Sequence, residues 1–402
     1  MKRNILLMMI AFMTGSYGFA QDANPRQAFE QLCVQLMQDV RKAIDEQNYA
    51  KVERCYQTIL DENAKLSKEV QEKVGLDEGG IYYNLACSQS LQKKKQAALR
   101  SLEQAYQNGW ADYRHALKDT DLDNIRSDKR FQAVMDKMKE HDYLVVLQRA
   151  ADYVPTQQPD TLPRFTYQNP NDRNLVRVRE YFKLDSVAGA GDELSKIKNI
   201  LIYIHDLIEH DGQHENPESR NAIGLAEACK DGSRGLNCRG LATVLNECYL
   251  AMGFKSRFVT CMPKVYINDC HVINAVYSNT LDKWLWVDPT NAAWVTDEHG
   301  NMLSIREVRE RLRKELPVKV NEEANWNHRQ KITTDDYLYS YMAKNLYYLE
   351  CLTRSEFDAE EEYDPSKYVN LKPIGYTNDR KGGTDVNDDA WFWQSPYENS
   401  DL

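Results

Sequence analysis

Residues 235–253 read GLNCRGLATVLNECYLAMG, and this stretch decides how the second half of the chain folds. From Leu241 to Met252 its apolar residues recur at the spacing of one buried face of an amphipathic helix. Gly253 follows that face and suits the left-handed position that ends many helices. Cys238 lies three residues before the face, at the helix start, where the helix dipole and unpaired N–H groups favour a thiolate. The sequence therefore predicts a reactive thiol at Cys238, with a buried structural cysteine as the alternative.

Three β-strands are predicted after this helix, over residues 254–261, 271–277 and 283–288. If the turn between the last two strands is centred between residues 279 and 280, His271 lies directly opposite Asp288. Opposed side chains are close enough for an imidazole–carboxylate hydrogen bond. A slip of one residue would place Pro289 there instead and break the pairing. The pattern predicts that both residues join the cysteine in one site, and the alternative is that they are polar residues at a hairpin edge.

Taken together, these segments resemble the core of the transglutaminase-like superfamily. The resemblance covers roughly residues 195–300 and rests on four stretches in order: GLNC at 235–238, LAMGFKSR at 250–257, HVINAVY at 271–277 and WLWVDPT at 284–290. It implies a papain-like fold, in which the helix that carries the cysteine packs on an antiparallel sheet. It further implies that Cys238 is the nucleophile, His271 the general base and acid, and Asp288 the residue that orients the imidazole.

The family pattern is not matched everywhere. Its glycine usually stands two residues before the cysteine, but Gly235 stands three before, and Arg239 occupies the place where many transglutaminases have tryptophan. No tryptophan lies between residue 118 and the cysteine to serve as the one that stabilises their transition state. Asn237 adjoins the thiol and is a candidate to line the site or to donate to an oxyanion. The candidates for a second oxyanion donor are His205, His210 and Asn221.

We expect no metal ion and no cofactor. The three nearby histidines are spaced by five and four residues, which does not place them on one helix face: His205, His210 and His214. The acidic runs at 119–123 and 385–389 lack the glycine and the glutamate of a calcium-binding EF-hand loop. Capping of turns and helix starts is the better explanation of both runs.

The first twenty residues have the pattern of a signal peptide. Two basic residues precede an apolar run, and Gly18 and Ala20 stand where a signal peptidase would cut. No later stretch is long and apolar enough to span a bilayer, so we expect an exported protein, periplasmic or secreted, with no integral membrane segment after cleavage. Export permits disulfides. Cys261 and Cys270 flank one loop as a candidate pair, although nine cysteines leave at least one thiol unpaired.

Residues 26–140 show helical periodicity throughout, and the segments 82–87 and 96–105 resemble a tetratricopeptide repeat. Such repeats commonly present a groove to a protein partner, and bracing of the next domain is an equal alternative.

The predicted fold class is α+β: an N-terminal all-α helical repeat domain followed by a papain- or transglutaminase-like domain. The predicted boundaries are 1–20 for the signal peptide, 21–145 for the tetratricopeptide-like domain, 146–180 for a linker and lead-in, 181–350 for the transglutaminase-like core and 351–402 for a C-terminal extension.

The chain carries a net charge of −10 over 402 residues, which makes it a poor candidate for nucleic-acid binding, since such binding needs basic patches. The predicted activity is covalent acyl transfer at amide bonds of a peptide or protein substrate through the Cys-His-Asp triad. Hydrolysis by a peptidase or amidase is favoured over protein cross-linking, because the tryptophan positions of the cross-linking enzymes are not filled. The alternative is a non-catalytic interaction scaffold that combines the helical repeats with a retired papain-like module.

Overall fold

The computed structural model describes residues 25–154, 162–266, 269–362, 364–380 and 382–397. The predicted signal peptide, residues 1–20, lies outside these ranges. The chain divides into two compact units, residues 1–145 and 146–402. Within the described ranges, no helix combines the length and the apolar character that crossing a membrane requires.

The N-terminal region is built from helices, as its periodicity predicts. Several first turns are fixed by an Asn or Asp side chain that accepts a backbone N–H: Asn48, Asp77, Asp112 and Asp128. The segment in which the sequence resembles a repeat forms the second pair of long helices, α4 and α5; the division into tetratricopeptide repeats stays a prediction. The helices are α1 Pro25–Asp45, α2 Tyr49–Asn63, α3 Lys68–Val74, α4 Glu78–Leu91, α5 Lys95–Gln107, α6 Tyr113–Lys118, α7 Lys129–Lys139 and α8 Tyr143–Gln148.

The acidic run after α6 has a structural role. Tyr83 stacks on Trp110 with 3.6 Å between the ring centroids, and its hydroxyl donates to Asp119 Oδ2 at 2.6 Å. Asp119 also caps the short 3-10 turn Thr120–Leu122 by accepting the N–H of Asp121. These contacts are the turn-capping role that we inferred from the sequence.

The second unit combines helices with one large sheet. Its six main strands run in the order β12-β11-β9-β2-β3-β4, and all neighbours are antiparallel except β11 and β12. The helices are α9 Arg173–Tyr181, α10 Leu184–Ala188, α11 Glu193–Leu207, α12 Ala222–Ala228, α13 Cys238–Ala251, α14 Ile305–Arg313, α15 Ala343–Asn345 and α16 Asp389–Phe392, together with a π-helix at Asp335–Met342 and a 3-10 turn at Pro365–Lys367. The strands are β1 Thr166–Tyr167, β2 Ser256–Met262, β3 His271–Ser278, β4 Lys283–Val287, β5 Val295–Thr296, β6 Lys319–Val320, β7 Asn325–Trp326, β8 Gln330–Lys331, β9 Tyr348–Leu352, β10 Arg354–Ser355, β11 Tyr368–Leu371 and β12 Thr384–Val386.

Helix α13 lies in the middle of this unit. Every residue from Gly240 to Ala251 is buried, and the predicted apolar face joins a core with residues of α11, β3 and β4. Asn274 of β3 donates to the carbonyl of Ala242 at 2.9 Å. The Tyr249 hydroxyl donates to a carbonyl of α11 at 2.8 Å. The helix is therefore held between α11 and a largely antiparallel sheet, the arrangement that the resemblance implied.

The hairpin of β3 and β4 has a different register from the predicted one. Tyr277 pairs with Trp284, so the turn is centred between residues 280 and 281, one position later than predicted. The prediction that His271 lies directly opposite Asp288 is therefore wrong by two residues. Because side chains alternate along a strand with a period of two, this shift keeps both side chains on the same face and leaves them diagonal neighbours.

The position of that turn is determined from outside the hairpin. Glu193, the first residue of α11, accepts the N–H groups of Asn279 and Thr280 at 2.9 and 2.8 Å. These hydrogen bonds hold the first half of the turn, and Asp282 completes it with a φ of 50°. A contact with a helix that begins almost ninety residues earlier in the chain leaves no trace in the hairpin sequence, which explains the wrong register.

The segments on both sides of the predicted core belong to the same compact unit. Strand β9 crosses the predicted boundary after residue 350, and β11 and β12 extend the main sheet. Strand β1, from the predicted lead-in, pairs with β10. These strands are only two to five residues long, so their alternation is too short to stand out in the sequence.

All nine cysteines have free thiols, so the candidate pair Cys261–Cys270 forms no disulfide. The register of β2 and β3 gives the reason. Cys261 pairs with His271, and opposed residues share a face of the sheet. Cys270 precedes β3 and packs instead against the cluster that contains Met262, Tyr347 and Tyr348.

Replacing Leu245 by alanine should lower the free energy of unfolding of this unit by about 2–5 kcal/mol, because the side chain is fully buried in the core around α13. Tryptophan fluorescence during urea unfolding reports on this unit, since six of the seven tryptophans lie in it. Leu316→Ala is the matched control: Leu316 is 43% exposed, and its loss should cost at most about 0.5 kcal/mol. Equal losses in the two variants would contradict this packing.

Candidate active site

Cys238 is the first residue of α13, and Asn237 caps the helix. The side-chain oxygen of Asn237 accepts the N–H groups of Arg239 and Gly240 at 3.0 and 3.2 Å. The cap thus satisfies two of the N–H groups that every helix start leaves free. The N–H of Cys238 has no partner in the part of the chain that the structure describes. The thiol therefore lies beside an unused backbone donor.

Asn237 is itself held by Asn216, a residue that the sequence pattern did not single out. Asn216 donates to the Asn237 side-chain oxygen at 2.8 Å and accepts the Asn237 N–H at 3.1 Å. Gly240 leaves room for this amide, since a Cβ at that position would lie 2.9 Å from it. Asn216 lies in an irregular loop, where no periodicity could have identified it.

The glycine before the cysteine has a steric role. Leu236 donates its N–H to the carbonyl of Glu209 at 3.1 Å, and Asp211 donates to the carbonyl of Leu236 at 2.7 Å. A Cβ on Gly235 would lie 2.2 Å from the carbonyl oxygen of Glu209. The glycine stands three residues before the cysteine because residues 209–211 pair with the backbone there.

His271 and Asp288 form a buried pair. The Nε2–H of His271 donates to Asp288 Oδ2 at 2.8 Å, and the exposed fractions of the two residues are 2% and 0%. Nδ1 is therefore the imidazole nitrogen left to act on the thiol. Cys238 is hydrogen-bonded to His271 and also accepts the N–H of Val272. The structure thus brings the three predicted residues together in the order thiol, imidazole, carboxylate.

Asp288 accepts three further hydrogen bonds. The N–H of Thr290 donates to Oδ1 at 2.8 Å and the amide of Asn291 to Oδ2 at 2.9 Å, so the chain folds back onto the carboxylate. The hydroxyl of Tyr337 donates to Oδ2 at 2.5 Å. Donors of this kind stabilise the charged form of a buried carboxylate. They also fix its orientation toward the imidazole.

Two tyrosines of the π-helix contact the pair. Tyr337 donates to Asp288, and Tyr341 packs its ring edge-on against the ring of His271, with 5.3 Å between the centroids. Residues four apart lie near one another on a helical surface, so a single turn reaches both members of the pair. Residues 337–348 are rich in tyrosine, but this composition alone does not show that the stretch contacts the site.

The electrostatics favour a thiolate and an imidazolium. Burial by itself raises the pKa of Cys238, but the hydrogen bond and the charge of His271 bring the pKa below its ordinary value. Burial also opposes the charge on His271, yet Asp288 and the thiolate raise its pKa to about 10. Burial would raise the pKa of Asp288 as well, but the charge and hydrogen bond of His271 lower it. Burial raises the pKa of the other eight thiols: Cys33, Cys55, Cys87, Cys229, Cys248, Cys261, Cys270 and Cys351.

The site opens into a cavity of about 760 Å³. Cavities of roughly 300–1,000 Å³ are typical of ligand sites. Its wall contains the thiol and the imidazole, and also Asn216, His210, Trp326 and both tyrosines. A larger cleft of about 1180 Å³ is lined by Trp284, Trp391 and Trp393 and contains none of the predicted site residues.

The chain order of cysteine, histidine and aspartate, together with this geometry, agrees with a comparison to protein families. Residues 181–289 match the model of the transglutaminase-like superfamily. This part of the chain is a transglutaminase-like domain. No curated protein matches the chain. The matched segment ends one residue after Asp288, so Asn291, Trp326 and the two tyrosines lie beyond it.

The other predicted residues have different positions in the transglutaminase-like domain. Asn237 and His210 line the cavity. His205 is buried against the loop that follows Asp288. Its ring nitrogens lie 3.0 Å from the carbonyl oxygen of Pro289 and 3.0 Å from Asn325 Oδ1. Asn221 caps α12 and donates to Asp358. His205 and Asn221 are therefore not among the residues that line the cavity.

Among the described residues, one group could place three ligand atoms around a metal ion. The ligand atoms of His205, Asp206 and His328 lie within 4.8 Å of one another. His328 and Asp206 are exposed and form an ion pair at 3.1 Å, which accounts for their approach. The histidines that are neighbours in sequence have separate partners, since His214 is paired with Asp211 and His210 accepts from Trp326.

Cys238 should react with iodoacetamide at pH 7, well below the pH at which an ordinary thiol ionises, because His271 stabilises its thiolate. Peptide mapping by mass spectrometry after brief labelling should find the label on Cys238 and on none of the eight thiols whose pKa burial raises. His271→Ala leaves the burial and removes the stabilisation, so labelling at pH 7 should fall by about ten-fold or more. The stabilisation of the Cys238 thiolate by His271 should be lost as the pH rises through about 10, where the imidazolium loses its proton.

Cys229→Ala is the matched control for this labelling, because Cys229 is partly exposed but lies outside the cavity wall. It should leave the rate at Cys238 unchanged. Equal labelling of the wild type and His271→Ala at pH 7 would show that the imidazole does not activate the thiol.

Replacing Tyr337 by phenylalanine should narrow the pH range over which Cys238 is reactive. The hydroxyl of Tyr337 helps to lower the pKa of Asp288, so its loss raises that pKa. As the pH falls, Asp288 then becomes protonated earlier and the imidazolium loses its counter-charge, which moves the acidic limb of the labelling profile to higher pH. Tyr339→Phe, on the same π-helix but outside the cavity wall, should not move it. A loss of stability with an unchanged profile would reduce Tyr337 to a packing role.

Proposed function

We propose that this protein is a thiol enzyme that transfers acyl groups at amide bonds of peptide or protein substrates, with Cys238, His271 and Asp288 as its triad. One observation carries the proposal. A thiol at a helix start is hydrogen-bonded to an imidazole that is itself bonded to a buried carboxylate, and this thiol and imidazole line a cavity. This is the arrangement by which a cysteine is activated for nucleophilic attack.

In the proposed reaction, the Cys238 thiolate attacks the amide carbon and the carbonyl electron pair moves onto the oxygen. The N–H of Cys238 stabilises this oxyanion. His271 donates its Nδ1 proton to the leaving amine as the carbon–nitrogen bond breaks, which leaves a thioester on Cys238. Asp288 holds the Nε2–H throughout and so keeps Nδ1 directed at the sulfur. Water then attacks the thioester, the neutral His271 takes its proton, and the thiolate leaves.

We favour hydrolysis over cross-linking. The residue after the nucleophile is Arg239, where many transglutaminases have tryptophan. Arg239 is bound to Glu360 at 2.8 Å and to the Thr260 hydroxyl at 3.0 Å. The Arg239–Glu360 ion pair therefore occupies the position where many transglutaminases have a tryptophan ring. Hydrolysis uses water as the acceptor of the acyl group, and water needs no dedicated binding surface on the protein.

The remaining parts of the chain support a secondary proposal on location and partners. The pattern of residues 1–20 supports export to the periplasm or the medium, and N-terminal sequencing tests it, with Gln21 as the expected first residue. The helices of residues 25–148 support a docking role toward a protein partner, with bracing as the alternative. A non-catalytic scaffold is the rival function for the whole chain, and it is disfavoured because none of the three triad residues has been replaced.

The test is to incubate the purified protein with peptide libraries, with and without a primary amine as acceptor. We expect the formation of new peptide termini to exceed the incorporation of amine. Cys238→Ser should lower the rates of both reactions by a factor on the order of 10³ or more. Cys229→Ala is the control and should keep full activity. Amine incorporation above hydrolysis would assign cross-linking instead. A reactive Cys238 with no turnover of any peptide would favour the scaffold.

A further inference from the structure

His210 is held beside the start of α13 by its backbone. It forms a short parallel bridge with Leu236, two residues before the nucleophile. Asn327 holds the same residue from the other side: it accepts the His210 N–H at 2.7 Å and donates its amide to the His210 carbonyl at 2.9 Å. The position of the imidazole is therefore built into the fold before any substrate binds.

Trp326 determines which nitrogen of His210 carries the proton. The indole N–H of Trp326 donates to His210 Nδ1 at 3.1 Å. An indole nitrogen can only donate, so Nδ1 must accept, and the proton of the neutral ring lies on Nε2. Burial and the positive charge of His271 lower the pKa of His210, which keeps the ring neutral. Protonation of Nδ1 would bring two N–H groups against each other.

The Nε2–H of His210 has no acceptor among the residues that the structure describes, and its ring lines the cavity together with Cys238 and His271. The Thr290 hydroxyl of that wall also lacks a partner among the described residues, but its oxygen is buried. Three longer polar side chains of the wall are already bound. Asn216 is bound to Asn237, Asn291 to Asp288 and Arg239 to Glu360. His210 is thus a neutral N–H donor of the wall that is still available to a substrate.

We propose that His210, set in its Nε2–H form by Trp326, is the second oxyanion donor of this site. The inference rests on the proposed acyl transfer, in which the amide oxygen becomes negative and the N–H of Cys238 supplies one donor. A neutral imidazole suits the second position because it stabilises the charge without giving up its proton. His210 touches the reacting oxygen and is a catalytic residue in this proposal. Trp326 acts through His210 and is a positioning residue.

Two electrophiles that react with the Cys238 sulfur separate this role from activation of the thiol. Acylation of Cys238 by p-nitrophenyl acetate passes through a tetrahedral oxyanion, whereas alkylation by iodoacetamide is a direct displacement that forms none. His210→Ala should slow acylation by about 100-fold and leave alkylation almost unchanged. His210→Gln keeps an N–H donor and should recover part of the acylation rate. Trp326→Phe frees either nitrogen to carry the proton, so it should slow acylation by a smaller factor and show a mixed tautomer in the ¹⁵N spectrum of His210.

His299→Ala is the control, because His299 is exposed and lies outside the cavity wall; it should leave both reactions unchanged. Acylation of His210→Ala at the wild-type rate would overturn the inference and leave the proposed acyl transfer standing. Equal losses of acylation and alkylation would also overturn it, since His210 would then support the thiol rather than the oxyanion. A wild-type protein that is alkylated but never acylated would overturn the inference and the proposed function together.

Discussion

The buried hydrogen bond between His271 and Asp288 sets the conditions that the rest of the second unit meets. A carboxylate without access to water must be given donors, and here they come from the loop that follows it and from a helix almost fifty residues further along the chain. The imidazolium needs an opposite charge, which brings the start of α13 to the first residue of β3. The hairpin, the helix start and the π-helix converge because each supplies one group to this charge system.

The sequence predicted the elements well where the signal is local. The apolar face of α13 and the glycine that ends it follow from spacing alone, because the helix is buried over nearly its whole length. The two strands of the hairpin, β3 and β4, were also predicted from their local sequence pattern. Their register was wrong because Glu193 holds the turn from another helix. Register is decided by tertiary contacts whenever two turn positions are similar in local preference.

The approach of His271 and Asp288 could be predicted in spite of that error, since a shift of two residues keeps side chains on one face. The residues around this pair and the cysteine could not. Asn216, Trp326 and Tyr337 are single side chains in loops or irregular turns, and no period relates them to the cysteine. The sequence positions of the neighbouring histidines were a misleading signal. His205 and His210 are only five residues apart, yet His205 is buried against the loop that follows Asp288 and His210 lines the cavity. Proximity in sequence said little about which of them could meet a substrate.

Strand β9 lies between β2 and β11 in the main sheet, although it begins almost sixty residues after the segment that matches the superfamily model. A fragment trimmed to residues 181–289 would therefore expose an unpaired edge on β2 and would strip Asp288 of a tyrosine donor. Unsatisfied edges of this kind favour aggregation. Recombinant work on the second unit of this chain should begin near residue 146 and run through the last strand, because the compact unit is more than twice as long as the segment that matches the superfamily model.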